Sequence, residues 1–128
     1  MFQKGFVPPD LKIILKFEEL IEYYFKENKP LAFYCDKLNV KVRLLNRYVK
    51  FYWNGRIAKD LIRDRKNNEA LEMISETCMS VKEISCEVGI QNPSYFSKRF
   101  KEINGRTPSE QKRKTGKDRP PDENYAPV

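Results

Sequence analysis

The sequence predicts an all-α fold of about seven helices, arranged as two helix-turn-helix units joined by a long central helix. Three observations predict it. Three helix-start signals fall between Ser80 and Ser109; apolar residues recur three and four apart with Asn, Gly or Pro at each break; and one half of the chain repeats the other at an offset of 50. Such spacing lines one face of a helix, whereas strands would alternate every second residue.

The elements follow in order. Pro8-Pro9-Asp10 opens the first helix, since proline loses no intrahelical bond in a first turn. Ile14, Phe17, Leu20, Ile21 and Tyr24 line one face of it and Lys12, Lys16, Glu19, Glu22 and Lys26 another. It ends near Asn28, and Pro30 cannot continue it. The first helix-turn-helix is then expected as helices over 31–38 and 41–53. Asn54-Gly55 breaks the chain, after which Ile57, Ala58, Leu61, Ile62, Ala70, Met73 and Ile74 space out one helix to about Ser75.

In the second unit Ser80 with Glu83 forms a capping box, predicting a helix over 81–88. Gly89 takes the turn. Asn92 before Pro93 starts a helix over 93–103, and Thr107 with Glu110 starts a last one over 108–114. From Thr115 the chain is Gly-, Pro- and charge-rich, which predicts a disordered tail. The segments are thus 1–29, a leader and first helix; 30–55, the first helix-turn-helix; 56–76, the central linker helix; 77–114, the second helix-turn-helix and last helix; and 115–128, the tail.

The repeat is specific. Leu31, Tyr34, Cys35, Leu38, Asn39 and Val40 correspond to Val81, Ile84, Ser85, Val88, Gly89 and Ile90 at an offset of 50. A small residue, Cys35 or Ser85, precedes each turn residue by four, as close helix crossing requires. Asn39 and Gly89 are the two residue types that enter the left-handed conformation most readily. Leu45 and Val49 correspond to Phe96 and Phe100 at an offset of 51, so the second turn holds one more residue.

Composition narrows the function. The chain has 128 residues, 40% hydrophobic content and a formal net charge of +7, with no apolar run approaching the roughly eighteen residues of a membrane span. No signal-peptide pattern opens it, which leads us to expect a cytoplasmic protein. Between residues 41 and 66 nine Lys or Arg face two Asp, a surplus of seven that suits a polyanionic partner. Cys35, Cys78 and Cys86 are unevenly spaced and the chain has no histidine, so we expect reduced packing thiols, no metal and no cofactor. With no phosphate-binding glycine loop and no paired nucleophile and base, catalysis is not expected either.

The second helix of each unit carries the candidate chemistry. A DNA major groove admits one α-helix, and Arg, Asn and Gln can read the donors and acceptors displayed there. In the first unit Arg43, Asn46, Arg47 and Lys50 recur at helical spacing opposite Leu45 and Val49. Arg47 suits a guanine and Asn46 an adenine, each bidentately, while Lys41 and Lys50 suit phosphates. In the second unit Gln91, Asn92, Ser94, Tyr95 and Lys98 occupy the first turns, with Phe96 and Phe100 turned inward. The aromatic residues Tyr48, Phe51, Tyr52 and Trp53 read as core, with a stacking platform for single strands as the competing reading.

The run Glu83-Ile84, Val88-Gly89, Asn92-Pro93-Ser94-Tyr95-Phe96-Ser97, Phe100-Lys101, Gly105 and Thr107-Pro108-Ser109-Glu110 resembles the C-terminal DNA-binding domain of the AraC/XylS transcription regulators. The likeness extends upstream through Ala70 and Gly55 over roughly residues 28–113. It implies double-stranded DNA as partner, two recognition helices in successive major grooves, action at promoters as an activator, and contact with RNA polymerase. An effector is implied only where a separate N-terminal ligand-binding domain exists, and about thirty residues precede the first unit here. Asn39 for the usual turn glycine, Lys66 for an arginine and Arg99 for an apolar residue depart from the pattern. Two other classes stay open: a protein-interaction module using the helix-turn-helix surface, and the DNA-binding part of a cysteine-dependent repair protein.

Overall fold

The computed structural model describes residues 5–115. Its helices are α1 (Pro9–Tyr24), α2 (Leu31–Leu38), α3 (Val42–Tyr52), α4 (Ala58–Glu76), α5 (Val81–Glu87), α6 (Pro93–Asn104) and α7 (Pro108–Thr115), with a short 3-10 turn over Phe25–Glu27 after α1. No strand occurs among the described residues. The expected boundaries hold to within a residue or so. Thr115, expected to open the tail, instead ends α7, and its hydroxyl donates to the Lys112 carbonyl at 2.9 Å. Residues 116–128 of that expected tail lie outside the described residues.

The chain forms two compact units that divide between Arg65 and Lys66, inside α4. In the first, α1 supplies Ile14, Phe17 and Ile21 to a core completed by Phe25, Tyr34, Cys35, Leu45, Val49 and Ala58. The segment expected as a leader therefore shares its core with the first helix-turn-helix. Its polar face, Lys12, Lys16, Glu19, Glu22 and Lys26, is exposed as expected. Tyr34 is fully buried, edge-on to Phe17 with ring centroids 5.6 Å apart. Burial, aided by Glu27, pushes its hydroxyl up to about 12, so it stays neutral at any working pH.

Two side chains tie the helices around this core, one from α4 and one from α3. Arg65 donates to both Glu22 oxygens at 2.8 Å while its guanidinium lies 4.3 Å from the Phe25 ring centroid. That bidentate pair, with the added Coulombic pull of Arg65, holds the Glu22 carboxyl below its usual range. Tyr52 donates its hydroxyl to Asp10 Oδ1 at 2.8 Å, joining the end of α3 to the start of α1.

The second unit packs Ala70 and Ile74 of α4 against Ile84, Val88, Phe96 and Phe100. Both predicted capping boxes form. Ser80 Oγ accepts from the Glu83 N–H at 3.1 Å while Glu83 accepts from the Ser80 N–H at 2.8 Å, and Thr107 and Glu110 repeat the exchange at the same two distances. Lys112 is 3% exposed, and its ammonium donates to the Met79 carbonyl, which ties α7 beneath the loop that opens α5. A reciprocal amide pair joins α4 to the end of α6, with Asn67 donating to Asn104 at 3.2 Å and Asn104 donating back at 2.7 Å.

One sequence expectation fails here. Of the four aromatics expected as core, Tyr48 and Tyr52 pack partly against the first core, but Phe51 is 77% exposed and Trp53 39% exposed. Leu45 and Val49 set the buried face of α3, and Phe51, two residues past Val49, falls on the opposite side at 100° per residue.

Candidate nucleic-acid interface

Each unit turns from its first helix into its second through the same pair of backbone bonds. After α2 the Asn39 N–H donates to the Asp36 carbonyl at 3.2 Å and the Val40 N–H to the Cys35 carbonyl at 3.1 Å. After α5 the Gly89 N–H donates to Cys86 at 3.0 Å and the Ile90 N–H to Ser85 at 2.9 Å. These are the two bonds of a Schellman closure, and they need a left-handed residue just past the helix. Asn39 at φ 56° and Gly89 at φ 81° supply it. The sequence repeat is thus a repeat of bonding. Ser85 adds a bond from its hydroxyl to the Ile90 carbonyl.

The helix after each turn buries one face and exposes the other. On α3 Leu45 and Val49 are buried, while Arg43, Arg47 and Lys50 are exposed, as is Lys41 at the helix start. On α6 Phe96 and Phe100 are buried, while Ser94, Tyr95 and Lys98 are exposed together with Gln91 and Asn92 just before it. Asn92 also caps this helix, accepting from the Tyr95 N–H at 3.1 Å. Nine of the ten candidate residues thus sit on the exposed second-helix surfaces of their own units.

Asn46 is the exception. It is half-buried, and its Oδ1 accepts from the Ala58 N–H at 2.9 Å. Asp60 satisfies the neighbouring Ile57 N–H at 2.9 Å, so the start of α4 is capped half by its own third residue and half by a side chain reaching over from α3. A bidentate grip on adenine needs both ends of the carboxamide free to face the base. The acceptor end of Asn46 faces α4 instead, so the reading of Asn46 as an adenine reader is corrected to one of a cap. The sequence hides this bond, which joins residues twelve apart across two helices and a loop.

The cationic surplus also separates into two groups. Arg56 pairs with Asp64 at 2.6 Å, Arg63 with Asp60 at 2.8 Å and Arg65 with Glu22 at 2.8 Å. Lys66 is half-buried, and desolvation lowers its pKa. Among the described residues Lys41, Arg43, Arg47 and Lys50 have no carboxylate partner, and α3 contains no Asp or Glu. A helix surface carrying four uncompensated cations suits a polyanion. Arg99, the departure noted on α6, pairs with Glu102 at 2.8 Å.

No described group of His, Cys, Asp or Glu is arranged to hold a metal ion. Cys35 is buried, and its pKa is raised by desolvation and then by Asp36, which keeps it a thiol and suits packing. No helix of the described residues is long and apolar enough to cross a membrane.

Doubled helix-turn-helix units with exposed polar second helices define a class, the all-α DNA-binding domains that carry two such motifs in one chain. A family model described as "Helix-turn-helix domain" matches residues 34–114, and the chain belongs to this AraC-type family of DNA-binding transcription regulators, which is not a family of enzymes. Solved structures share the fold. The C-terminal domain of the two-component response regulator yesN from Fusobacterium nucleatum is 20% identical, with a TM-score of 0.73 over 79% of this chain and 98% of that one. The C-terminal domain of AraT, a response regulator from Geobacillus stearothermophilus, is 27% identical, with a TM-score of 0.72 over 80% and 84%. A DNA-binding transcriptional dual regulator from Escherichia coli K-12 is 20% identical, with a TM-score of 0.71 over 88% and 96%. No curated protein sequence matches the chain.

Proposed function

We propose that the chain binds promoter DNA sequence-specifically in the cytoplasm and activates transcription through contact with RNA polymerase, without catalysis of its own. In this reading α3 and α6 enter two successive major grooves. Arg43 and Arg47 read bases from α3, and Lys41 and Lys50 hold phosphates; Gln91, Asn92, Ser94, Tyr95 and Lys98 form the second reading edge. Asn46 serves α3 by fixing its neighbour. The observation that carries the reading is the uncompensated cationic face of α3, which follows a turn bonded like the turn before α6. A protein-interaction module would not need four cations with no acid among them.

The test is the salt dependence of binding to a duplex selected from a random pool. Observed affinity should fall with a slope of about 0.9 per phosphate neutralised on logarithmic axes. Binding that ignores salt, or fails to distinguish duplex sequences, would overturn the proposal.

A further inference from the structure

We propose that Phe51 is a specificity-determining residue whose ring meets the 5-methyl group of a thymine in the DNA segment under α3. This rests on the reading of α3 as a recognition helix. Phe51 is 77% exposed, more than any large apolar residue of the described chain except Tyr23, which matches it. It follows Lys50 directly and Arg47 by one turn, so it extends the face that carries Arg43, Arg47 and Lys50. With no acid on that helix, the face is complementary to an anionic surface, and a phenyl group there is covered by whatever the cations bind.

The ring also has one aromatic neighbour. It stands edge-on to Tyr52, with centroids 5.0 Å apart and planes at 89°. Tyr52 is in turn anchored through its hydroxyl to Asp10 at 2.8 Å. In the major groove thymine differs from cytosine by its C5-methyl group as well as its O4 acceptor, and an apolar side chain detects the methyl. The second unit has no counterpart, since Glu102 stands at the matching register and is paired with Arg99. Thymine reading by this means therefore belongs to the first unit alone.

The experiment replaces each thymine of a selected duplex singly by deoxyuridine, which removes only the methyl. For the parent protein, one position in the segment protected by the first unit should lose about fourfold in affinity, the worth of one buried methyl. Phe51→Ala should bind the thymine and deoxyuridine duplexes equally at that position while keeping its preferences elsewhere, and Phe51→Leu should retain part of the discrimination. An unchanged circular dichroism spectrum would show that the exposed substitution leaves the fold intact. A parent protein indifferent to every deoxyuridine, or a Phe51→Ala variant that keeps the parent's discrimination, overturns the proposal. So does a Phe51→Ala variant that binds DNA normally but no longer activates transcription, because the ring then serves a protein partner. A parent that prefers no sequence at all is a different failure, that of α3 as a recognition helix.

Discussion

Arg47 and Asn46 are neighbours on α3 with the same apparent aptitude for bases, and their surroundings assign them different work. Arg47 is exposed without a described carboxylate partner, whereas Asn46 caps α4 through Ala58. Arg47→Ala should cost about 1–3 kcal/mol on the preferred site and relax the choice at one position, while Lys50→Ala should weaken all sequences alike. Asn46→Ala should lower folding stability by about 1 kcal/mol, as loss of a helix cap does, and leave base preference unchanged. Binding titrations across a set of single-base variants, with urea unfolding of each protein, distinguish the three. The sequence carried the exposure of nine candidates because helical spacing divides inner from outer positions. It could not carry the partner of Asn46 or that of Arg65, since each depends on how helices meet, whereas Asp60 and Arg63 lie one turn apart on α4 and their pairing is local.

Among the elements, the two turns were legible because their chemistry is local. A small residue, a left-handed residue and an apolar residue in fixed order specify a Schellman closure, and both sets of bonds are present. Asn39 holds a conformation that costs an ordinary L-residue roughly 1–2 kcal/mol. Asn39→Ala should therefore destabilise the first unit by about 1 kcal/mol and Asn39→Gly should leave it near the parent. The fluorescence of Trp53, the one tryptophan, reports that unit's unfolding in urea. The aromatic stretch at the end of α3 was less legible. Four aromatics in six residues look like core by composition; the phase set by Leu45 and Val49 puts Phe51 outside it, and Trp53, though in phase with Val49, leaves the core because α3 ends at Tyr52 and Trp53 turns out of the helix at φ -122°.

For the whole molecule, two reading units in one chain imply an asymmetric site. A monomer should protect two segments about one DNA turn apart, roughly 10 base pairs, without the palindrome that a two-fold dimer imposes. Footprinting with measured stoichiometry checks this, and a palindromic footprint that only two chains can fill would contradict it. Arg65 is bound to Glu22 and Asn67 to Asn104, so an insertion after Lys66 leaves both ties in place. Such an insertion should abolish specific binding while each unit stays folded, as read by circular dichroism. The two-unit plan was visible in the repeat. The division inside α4 falls in the polar run from Arg63 to Glu69, between the apolar group that joins the first core and the one that joins the second, and continuous helix propensity through that run masks it.

The buried bond from Lys112 to Met79 has a consequence for how the protein is born. The first unit owns all its core residues once Arg65 has left the ribosome, and it can close while synthesis continues. The second unit makes one of its ties only at its end. A lysine thirty-three residues downstream ties its opening loop, so α5, whose start is capped locally by Ser80 and Glu83, and α6 both emerge before that tie can form. For those residues' worth of translation the nascent chain carries a finished half beside an open one, and it is during that interval that the apolar faces of Ile84, Val88, Phe96 and Phe100 most need shelter.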